Sequence, residues 1–256
     1  MGSTRMRQPF STVPEDDSTL TSTSNKRTRT VNVGSVYILR LFAIILSVAL
    51  AIFVGAAVQD SQAQKLQGTQ GYYASAAVCA TSQSGELTTF GSLEDANSHA
   101  GSLNVALVAH CGECGFCSNA ADIKIYEMTK SSLTKTATTC ATRAFVGRTF
   151  VSSCFNTEVG FSTRCNECWT DNVMCDLKHC AFTCIKSLLL GQKNNEGGSK
   201  LSSCLLCDER MCGPAFIECA GANRRRCGIV SDIARNESGE VCSRVSVGWK
   251  QIIKNS

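Results

Sequence analysis

Proline, histidine and the short motifs of the common enzyme classes are all scarce in this sequence. Only 3 of the 256 residues are proline and only 3 are histidine. The sequence contains no paired carboxylates, no G-x-S-x-G, no phosphate-binding loop and no dinucleotide fingerprint. His99, His110 and His179 are isolated from one another, so we expect packed or surface side chains rather than general bases. We therefore predict no cofactor and no metal ion, and the sequence favours a binding or structural protein over an enzyme.

An excess of charge of one sign is also missing from most of the chain. The formal net charge is +4, but residues 1–40 carry six basic and three acidic side chains, while the remainder carries nineteen and eighteen. Domains that bind nucleic acid usually show a strong basic patch or stripe. The near neutrality after residue 40 therefore predicts no nucleic-acid partner.

One long apolar run is the most prominent feature that the chain does contain. Residues 41–58 carry no charged side chain, and eighteen helical residues span about 27 Å. A helix over 36–58, with Arg40 reaching back to the headgroups, is long enough to cross the hydrocarbon core of a bilayer. The sequence thus predicts an integral membrane protein with a single transmembrane helix.

The charges on either side of this run predict its orientation. Lys26, Arg27 and Arg29 precede the run, whereas Asp60 and Lys65 cancel each other after it. Because positively charged flanks stay in the cytosol, we expect a single-pass type II signal-anchor whose C-terminal part is translocated. The alternative is a signal peptide cleaved after small residues at 61–63, and both interpretations deliver the same domain to the lumen or the cell exterior.

The composition of the remaining chain predicts four further regions. Residues 1–35 are rich in serine and threonine and are expected to form a disordered cytosolic tail. Residues 59–71 are rich in glutamine and are predicted to be a flexible stalk. A cysteine-rich domain is expected over 72–249, and a short C-terminal tail over 250–256.

Cysteine is the most abundant signal in the translocated part. All seventeen cysteines lie between Cys79 and Cys242, a density typical of disulfide-stabilised domains in the endoplasmic reticulum, in the Golgi or at the cell surface. An odd number cannot pair completely within one chain, so we predict a disulfide-linked homodimer through Cys79 or Cys242, which stand apart from the other cysteines. The alternative is a buried free cysteine. The predicted structural cysteines are Cys140, Cys154, Cys165, Cys168, Cys175, Cys180, Cys184, Cys204, Cys207, Cys212, Cys219 and Cys227.

Three closely spaced cysteines suggest an alternative function. Cys111, Cys114 and Cys117 stand three residues apart with glycines between them, a spacing compatible with thiol–disulfide exchange in the lumen. However, no proline lies between Pro14 and Pro214, so the proline that thioredoxin-like folds place beside such a pair is missing. We therefore expect these three residues to be structural, with the exchange protein as the alternative.

Apolar periodicity predicts a mostly α-helical domain of three to four helices, with irregular loops and little β-structure. Apolar residues at spacings of three, four and seven predict helices over 122–144, 170–191 and 214–223. A short capped helix is expected after Ser92, and a buried strand over 103–109.

Two further features bear on the partners of this domain. Arg224, Arg225 and Arg226 form the basic cluster of the translocated part and are candidate ligands for an anion. Asn236 begins an Asn-Glu-Ser sequon, a predicted glycosylation site. The sequence therefore predicts a membrane-anchored, disulfide-stabilised binding or structural module with an unknown protein or glycan ligand.

Overall fold

The structure is a computed structural model that describes residues 33–65, 77–82, 84, 86–100, 106–196, 200–233 and 248–255. The chain divides into two compact units, residues 1–44 and residues 45–256. The predicted disordered tail up to residue 32, the second half of the predicted stalk, Asn236 and Cys242 lie outside the described residues. The predicted class is confirmed, since the described part is mostly helical and disulfide-rich with few strands.

The apolar run forms one long helix, α1, over Val33–Lys65. Within the described residues it is the one helix long and apolar enough to cross a membrane, with the candidate span at Tyr37–Gln62. Large side chains such as Phe42 and Leu46 point outward along it, as expected of a helix whose neighbours are lipid chains. The helix extends past residue 58 into the predicted stalk, because Gln, Ala and Lys are good helix formers and no glycine or proline interrupts residues 59–65.

The domain after α1 begins with a small antiparallel sheet of strand order β2-β1-β3. The strands are β1 (Val78–Thr81), β2 (Leu87–Phe90) and β3 (Val108–Cys111), and a bulge interrupts the register of β1 with β3 at Cys79 and Ala80. The short helix α2 (Leu93–Ser98) lies between β2 and β3, and the Ser92 side chain accepts a hydrogen bond from the Asp95 backbone N–H, as its sequence predicts.

The first predicted long helix is two helices in the structure. Helix α3 covers Ala120–Met128 and helix α4 covers Leu133–Ala141, followed by a 3-10 turn at Thr142–Phe145. The interruption follows Thr129, whose hydroxyl donates to the Ile125 carbonyl and whose own carbonyl accepts from the Leu133 N–H. Serine and threonine hydroxyls bond to nearby backbone groups in this way, which explains why the stripe of apolar residues did not produce a continuous helix.

Helices α5 to α9 follow, and four disulfides connect α6 and α7 with α8 and α9 in a nested ladder. The helices are α5 (Arg148–Glu158), α6 (Thr163–His179), α7 (Ala181–Leu189), α8 (Ser203–Met211) and α9 (Gly213–Ala220). From the outermost bridge inward, the ladder contains Cys168–Cys219, Cys175–Cys212, Cys180–Cys207 and Cys184–Cys204. From one bridge to the next, the residue number of the first cysteine rises while that of its partner falls. The segment of α6 and α7 therefore runs antiparallel to the segment of α8 and α9.

The ends of these helices also differ from the sequence-based expectations. The second predicted helix begins seven residues earlier, at Thr163, and is interrupted at Cys180. The third ends at Ala220 because Gly221 adopts a φ of 67°, a conformation that favours glycine. The predicted loop 193–200 contains a two-stranded ladder of β4 (Asn195–Glu196) and β5 (Lys200–Leu201), and the predicted C-terminal tail belongs to a helix, α10 (Trp249–Asn255).

Aromatic side chains form the centre of the helical core. Trp169 on α6 stacks on Phe161 at 5.7 Å and meets Phe216 of α9 edge-on at 4.9 Å. The fully buried Tyr126 of α3 accepts a hydrogen bond from Trp169 Nε1 and donates one to the Ala222 carbonyl. The core thus joins α3, α6 and α9 around Trp169, and each buried polar group of this cluster has a partner.

Candidate functional site: an apolar groove beside the disulfide ladder

A cavity of about 580 Å³ lies along the disulfide ladder. Helices α4, α6, α7, α8 and α9 and the segment 223–233 contribute its walls. Most of the lining is apolar, including Val173, Leu177, Ile185, Phe216 and Ile229. A concave apolar surface of this volume falls within the range of small-molecule sites, about 300–1,000 Å³.

Three polar side chains of this lining stand together on α6 and α8. Asn172 and Asp176 lie one turn apart on α6, and Asp208 of α8 faces them. The Asn172 Nδ2 donates to Asp208 Oδ1 at 2.9 Å, and the side chains of Asp176 and Asp208 are hydrogen-bonded to each other. A hydrogen bond between two carboxyl groups requires a proton, so at least one of the two is neutral.

The environment of Asp176 favours the neutral form of its carboxyl group. Burial raises the pKa of Asp176 well above its ordinary value, and the neighbouring Asp208 carboxylate raises it further. Two buried oxygens of this group, Asp176 Oδ1 and Asn172 Oδ1, have no hydrogen-bond partner among the described residues. Buried polar atoms are normally paired, so these two atoms are suited to meet a ligand in the groove.

The Asp176 carboxyl also lies close to two sulfur atoms, but this arrangement does not make a metal centre. Its oxygen and the Sγ atoms of Cys180 and Cys212 all lie within 4.8 Å of one another. Both sulfurs are already in disulfides, with Cys207 and Cys175. A metal needs the thiolate form of cysteine, which a disulfide sulfur cannot provide.

The cysteines of the redox alternative are all engaged in separate bridges. Cys114 pairs with Cys79, Cys117 pairs with Cys165, and Cys111 is disulfide-bonded to neither of the other two. Thiol–disulfide exchange in a CxxC pair requires the two neighbouring cysteines to form a disulfide with each other. The cluster instead connects the loop after β3 to β1 and to α6.

The loop that carries these cysteines is held by backbone contacts and a buried histidine. Phe116 N donates to the Cys219 carbonyl, and Cys117 N donates to the Ala220 carbonyl. His110 Nδ1 donates to the Cys111 carbonyl at 3.0 Å, so its Nε2 accepts from the Ser118 hydroxyl at 2.7 Å. Burial lowers the pKa of His110 to about 4, which keeps the imidazole neutral at physiological pH.

Two of the cysteine assignments need correction. Cys79 is not an intermolecular thiol, because β1 places it against Cys114 and the two are bonded. Cys227 is not in a disulfide: it is the free thiol of the described residues, completely buried in the core around Tyr126. Burial raises the pKa of Cys227, so the thiol is protonated and unreactive. The predicted link through Cys242 stays a prediction.

The other predicted structural cysteines all lie in disulfides, whose pairing the sequence left open. Cys140 of α4 pairs with Cys154 of α5, in addition to the ladder and the bridge to Cys165. The sulfur positions at Cys180 and Cys184, one turn apart, both reach α8, as their helical spacing predicts.

The three consecutive arginines are directed toward the protein. Arg224 donates to the Lys130 carbonyl and pairs with Asp232 at 2.8 Å. Arg225 lies 3.9 Å from Glu209, and Arg226 donates to the Gly221 carbonyl. Their internal partners fasten the segment after α9, and Arg224 and Arg225 line one end of the groove. Anion binding by this cluster stays a prediction.

Sequence reasoning missed the groove and its polar group. The available signal was the placement of Asn172 and Asp176, four residues apart and next to the apolar stripe of α6 that includes Val173 and Leu177. A carboxylate bordering an apolar stripe indicates a partly buried acid. Its contact with Asp208 could not be read from the sequence, because it depends on the antiparallel pairing of α6 with α8.

A model for a family of unknown function (DUF8771) matches residues 148–244. The matched segment begins with α5 and contains the whole disulfide ladder and the three polar residues of the groove. No curated protein and no solved structure matches the chain. The match therefore covers the ladder and the groove walls that follow residue 148, but not α4, α1 or the sheet.

Proposed function

We propose that this chain is a single-pass type II membrane protein whose domain in the lumen or outside the cell binds an uncharged amphiphile in the groove. The amphiphile would have an apolar body and a hydroxyl group. The membrane location is supported by α1, and the oxidising compartment by the seven described disulfides. The basic flank at Lys26, Arg27 and Arg29 supports the orientation.

The observation that carries the ligand assignment is the pair of unpartnered oxygens in an apolar wall. Asn172 Oδ1 accepts hydrogen bonds, and Asp176 Oδ1 is an acceptor as well, because the proton of the neutral Asp176 carboxyl is used in its hydrogen bond with Asp208. A hydroxyl group on a ligand can donate its hydrogen to either of these oxygens without bringing a charge into the groove. The apolar lining from Val173 to Ile229 then suits a hydrocarbon body.

Charged ligands fit this group less well. A carboxylate or phosphate would place its negative charge against the acceptor oxygens of Asn172 and Asp208. An ammonium group would meet a carboxyl group that burial keeps neutral, and the guanidinium groups of Arg224 and Arg225 stand in the same lining. An uncharged head group avoids both conflicts.

Photolabelling of the full chain in lipid nanodiscs tests the proposal. One probe is a long-chain alcohol with a diazirine on its chain, and the other is the matching alkane without the hydroxyl. Satisfying buried polar atoms is worth about 1–3 kcal/mol, so the alcohol should label peptides of α6 and α8 roughly tenfold more than the alkane. Equal labelling by both probes would contradict the proposed head group.

Matched substitutions on α6 provide the control. Asp176→Leu should abolish the preference for the alcohol, while Asp171→Leu, at an exposed aspartate of the same helix, should preserve it. Filling the groove with Ala137→Trp should reduce labelling by both probes, whereas Ala120→Trp, which lies outside the lining, should not. Labelling that persists in Ala137→Trp would place the probe elsewhere.

A further inference from the structure

The last turns of α1 contact helix α7 of the cysteine-rich domain. Thr183 N donates to Gln59 Oε1 at 3.1 Å, and the Thr183 hydroxyl donates to Asp60 Oδ1 at 3.2 Å. The ring of Phe182 lies against Gly55, where an added Cβ would stand 2.6 Å from it. All three α1 residues lie in the final third of the candidate span Tyr37–Gln62, so this contact holds α7 at the level where α1 leaves the bilayer.

The contacts also give the direction of α7. Thr183 lies beside Ala56, Gln59 and Asp60, whereas Lys186, three residues later, extends its amino group to 5.9 Å from the Phe53 ring. Later residues of α7 therefore lie beside earlier residues of α1, closer to the middle of the candidate span. The C-terminal end of α7 points into the bilayer rather than away from it.

That end carries three consecutive leucines that the protein does not cover. Leu188, Leu189 and Leu190 are 72%, 68% and 57% exposed. A contiguous apolar cluster of this kind on a domain surface marks an interaction site. At about 1.5 Å per residue, Leu189 lies roughly 9 Å beyond Thr183 along the helix, which matches the depth of about 5–10 Å reached by interfacial helices.

We propose that the leucine tip of α7, formed by Leu188, Leu189 and Leu190, inserts into the leaflet from which α1 emerges. The acyl chains of that leaflet cover the tip, and the Lys186 amino group stays over the Phe53 ring. The domain is then attached to the membrane at a second point besides α1. This attachment restricts the rotation of the domain relative to the bilayer. It depends on α1 crossing the membrane. Leu188 also lines the groove, but Leu189 and Leu190, which the test uses, do not.

Quenching by brominated lipid tests the position of the tip. The full chain is reconstituted in phosphatidylcholine vesicles with or without bromine on the upper acyl chain, and resistance to alkaline extraction verifies that α1 is inserted. The emission added by Leu189→Trp should be about twofold lower in the brominated vesicles. Leu190→Trp gives a second reading in case the first variant folds poorly. The emission of Trp169 and Trp249 is subtracted with the unsubstituted protein.

The matched control is Met128→Trp, an apolar residue at the end of α3 with 71% exposure against 68% for Leu189. Its emission should be the same in both kinds of vesicle. Quenching of Leu189→Trp that does not exceed that of Met128→Trp overturns the proposal. A blue-shifted but unquenched Leu189→Trp also overturns it, because protein rather than lipid would then cover the tip.

Discussion

At the scale of single residues, Gly115 shows why the redox-like motif contains glycines. A Cβ added to Gly115 would lie 2.5 Å from the Gly221 N atom and 2.6 Å from the Ala220 carbonyl carbon. These are backbone atoms, which cannot move aside as the end of a side chain can. The glycine permits the loop after β3 to pair with the end of α9, and the neighbouring cysteines then reach their separate partners.

Gly115→Ala should therefore destabilise the domain strongly. Overpacking against backbone costs about 1–3 kcal/mol, and the hydrogen bonds of Phe116 and Cys117 to α9 would weaken in addition. The matched control is Gly213→Ala, where the nearest atom lies 3.7 Å from the added Cβ. Its free energy of unfolding should stay within about 0.5 kcal/mol of the original. Guanidinium unfolding of the full chain in detergent, followed by tryptophan fluorescence, measures both, and equal stabilities would refute the close packing.

At the scale of elements, the nested ladder changes how much each disulfide contributes to the free energy of unfolding. Cys180–Cys207 closes 27 residues and Cys140–Cys154 closes 14. Loop length alone would make the first bridge more stabilising. With the ladder bridges on either side intact, however, Cys180–Cys207 only divides a ring of about seventeen residues, so it removes less entropy from the unfolded chain.

The shorter bridge should consequently matter more. We expect the Cys140→Ala/Cys154→Ala variant to lose about 3 kcal/mol and the Cys180→Ala/Cys207→Ala variant about 2 kcal/mol. All four residues are buried, so the loss of packing is comparable in the two variants. Denaturant unfolding under oxidising conditions gives the two values. A larger loss in the ladder variant would show that the bridges act independently of one another.

The helix boundaries belong to the same scale. The apolar stripes identified the buried faces of α3, α4, α6 and α9, but not the points at which helices stop. Hydroxyl side chains near Thr129 and the junction at Cys180 decide those points. The stripes also missed the buried face of α7, where Thr183 and Ser187 are buried and Leu188 is exposed. Helices α5 and α8 were not predicted, because their apolar residues and cysteines do not repeat at helical spacing over a long enough stretch.

At the scale of the whole molecule, orientation in the membrane can be tested directly. Protease added to intact microsomes should remove only about the first forty residues, because the basic flank keeps the N-terminus in the cytosol. The cysteine-rich domain should be digested only after detergent opens the vesicles. In the same preparation, Asn236→Gln should increase the mobility of the intact chain if the sequon carries a glycan. Digestion of the domain in sealed microsomes would reverse the proposed orientation.

The sequence by itself determined the features that depend on local composition. The uncharged run at 41–58 makes a membrane-spanning length of helix, and the cysteine density makes a disulfide-stabilised domain. The helical class followed from apolar spacing, and the cap of α2 followed from Ser92. Each of these features depends on local composition or on residues close together in the sequence. The order of side chains along the chain is therefore sufficient to predict it.

Only the tertiary structure decided which distant residues meet. The partners in the seven described disulfides lie 14 to 51 residues apart along the sequence, and many pairings of seventeen cysteines satisfy the same composition. Packing around Trp169 sets α6 antiparallel to α8, and this pairing brings Asp176 to Asp208 and encloses the groove. It also leaves Cys227 buried without a partner. The local sequence determines which face of a helix is apolar. Which other helix packs against that face depends on the packing of the whole core.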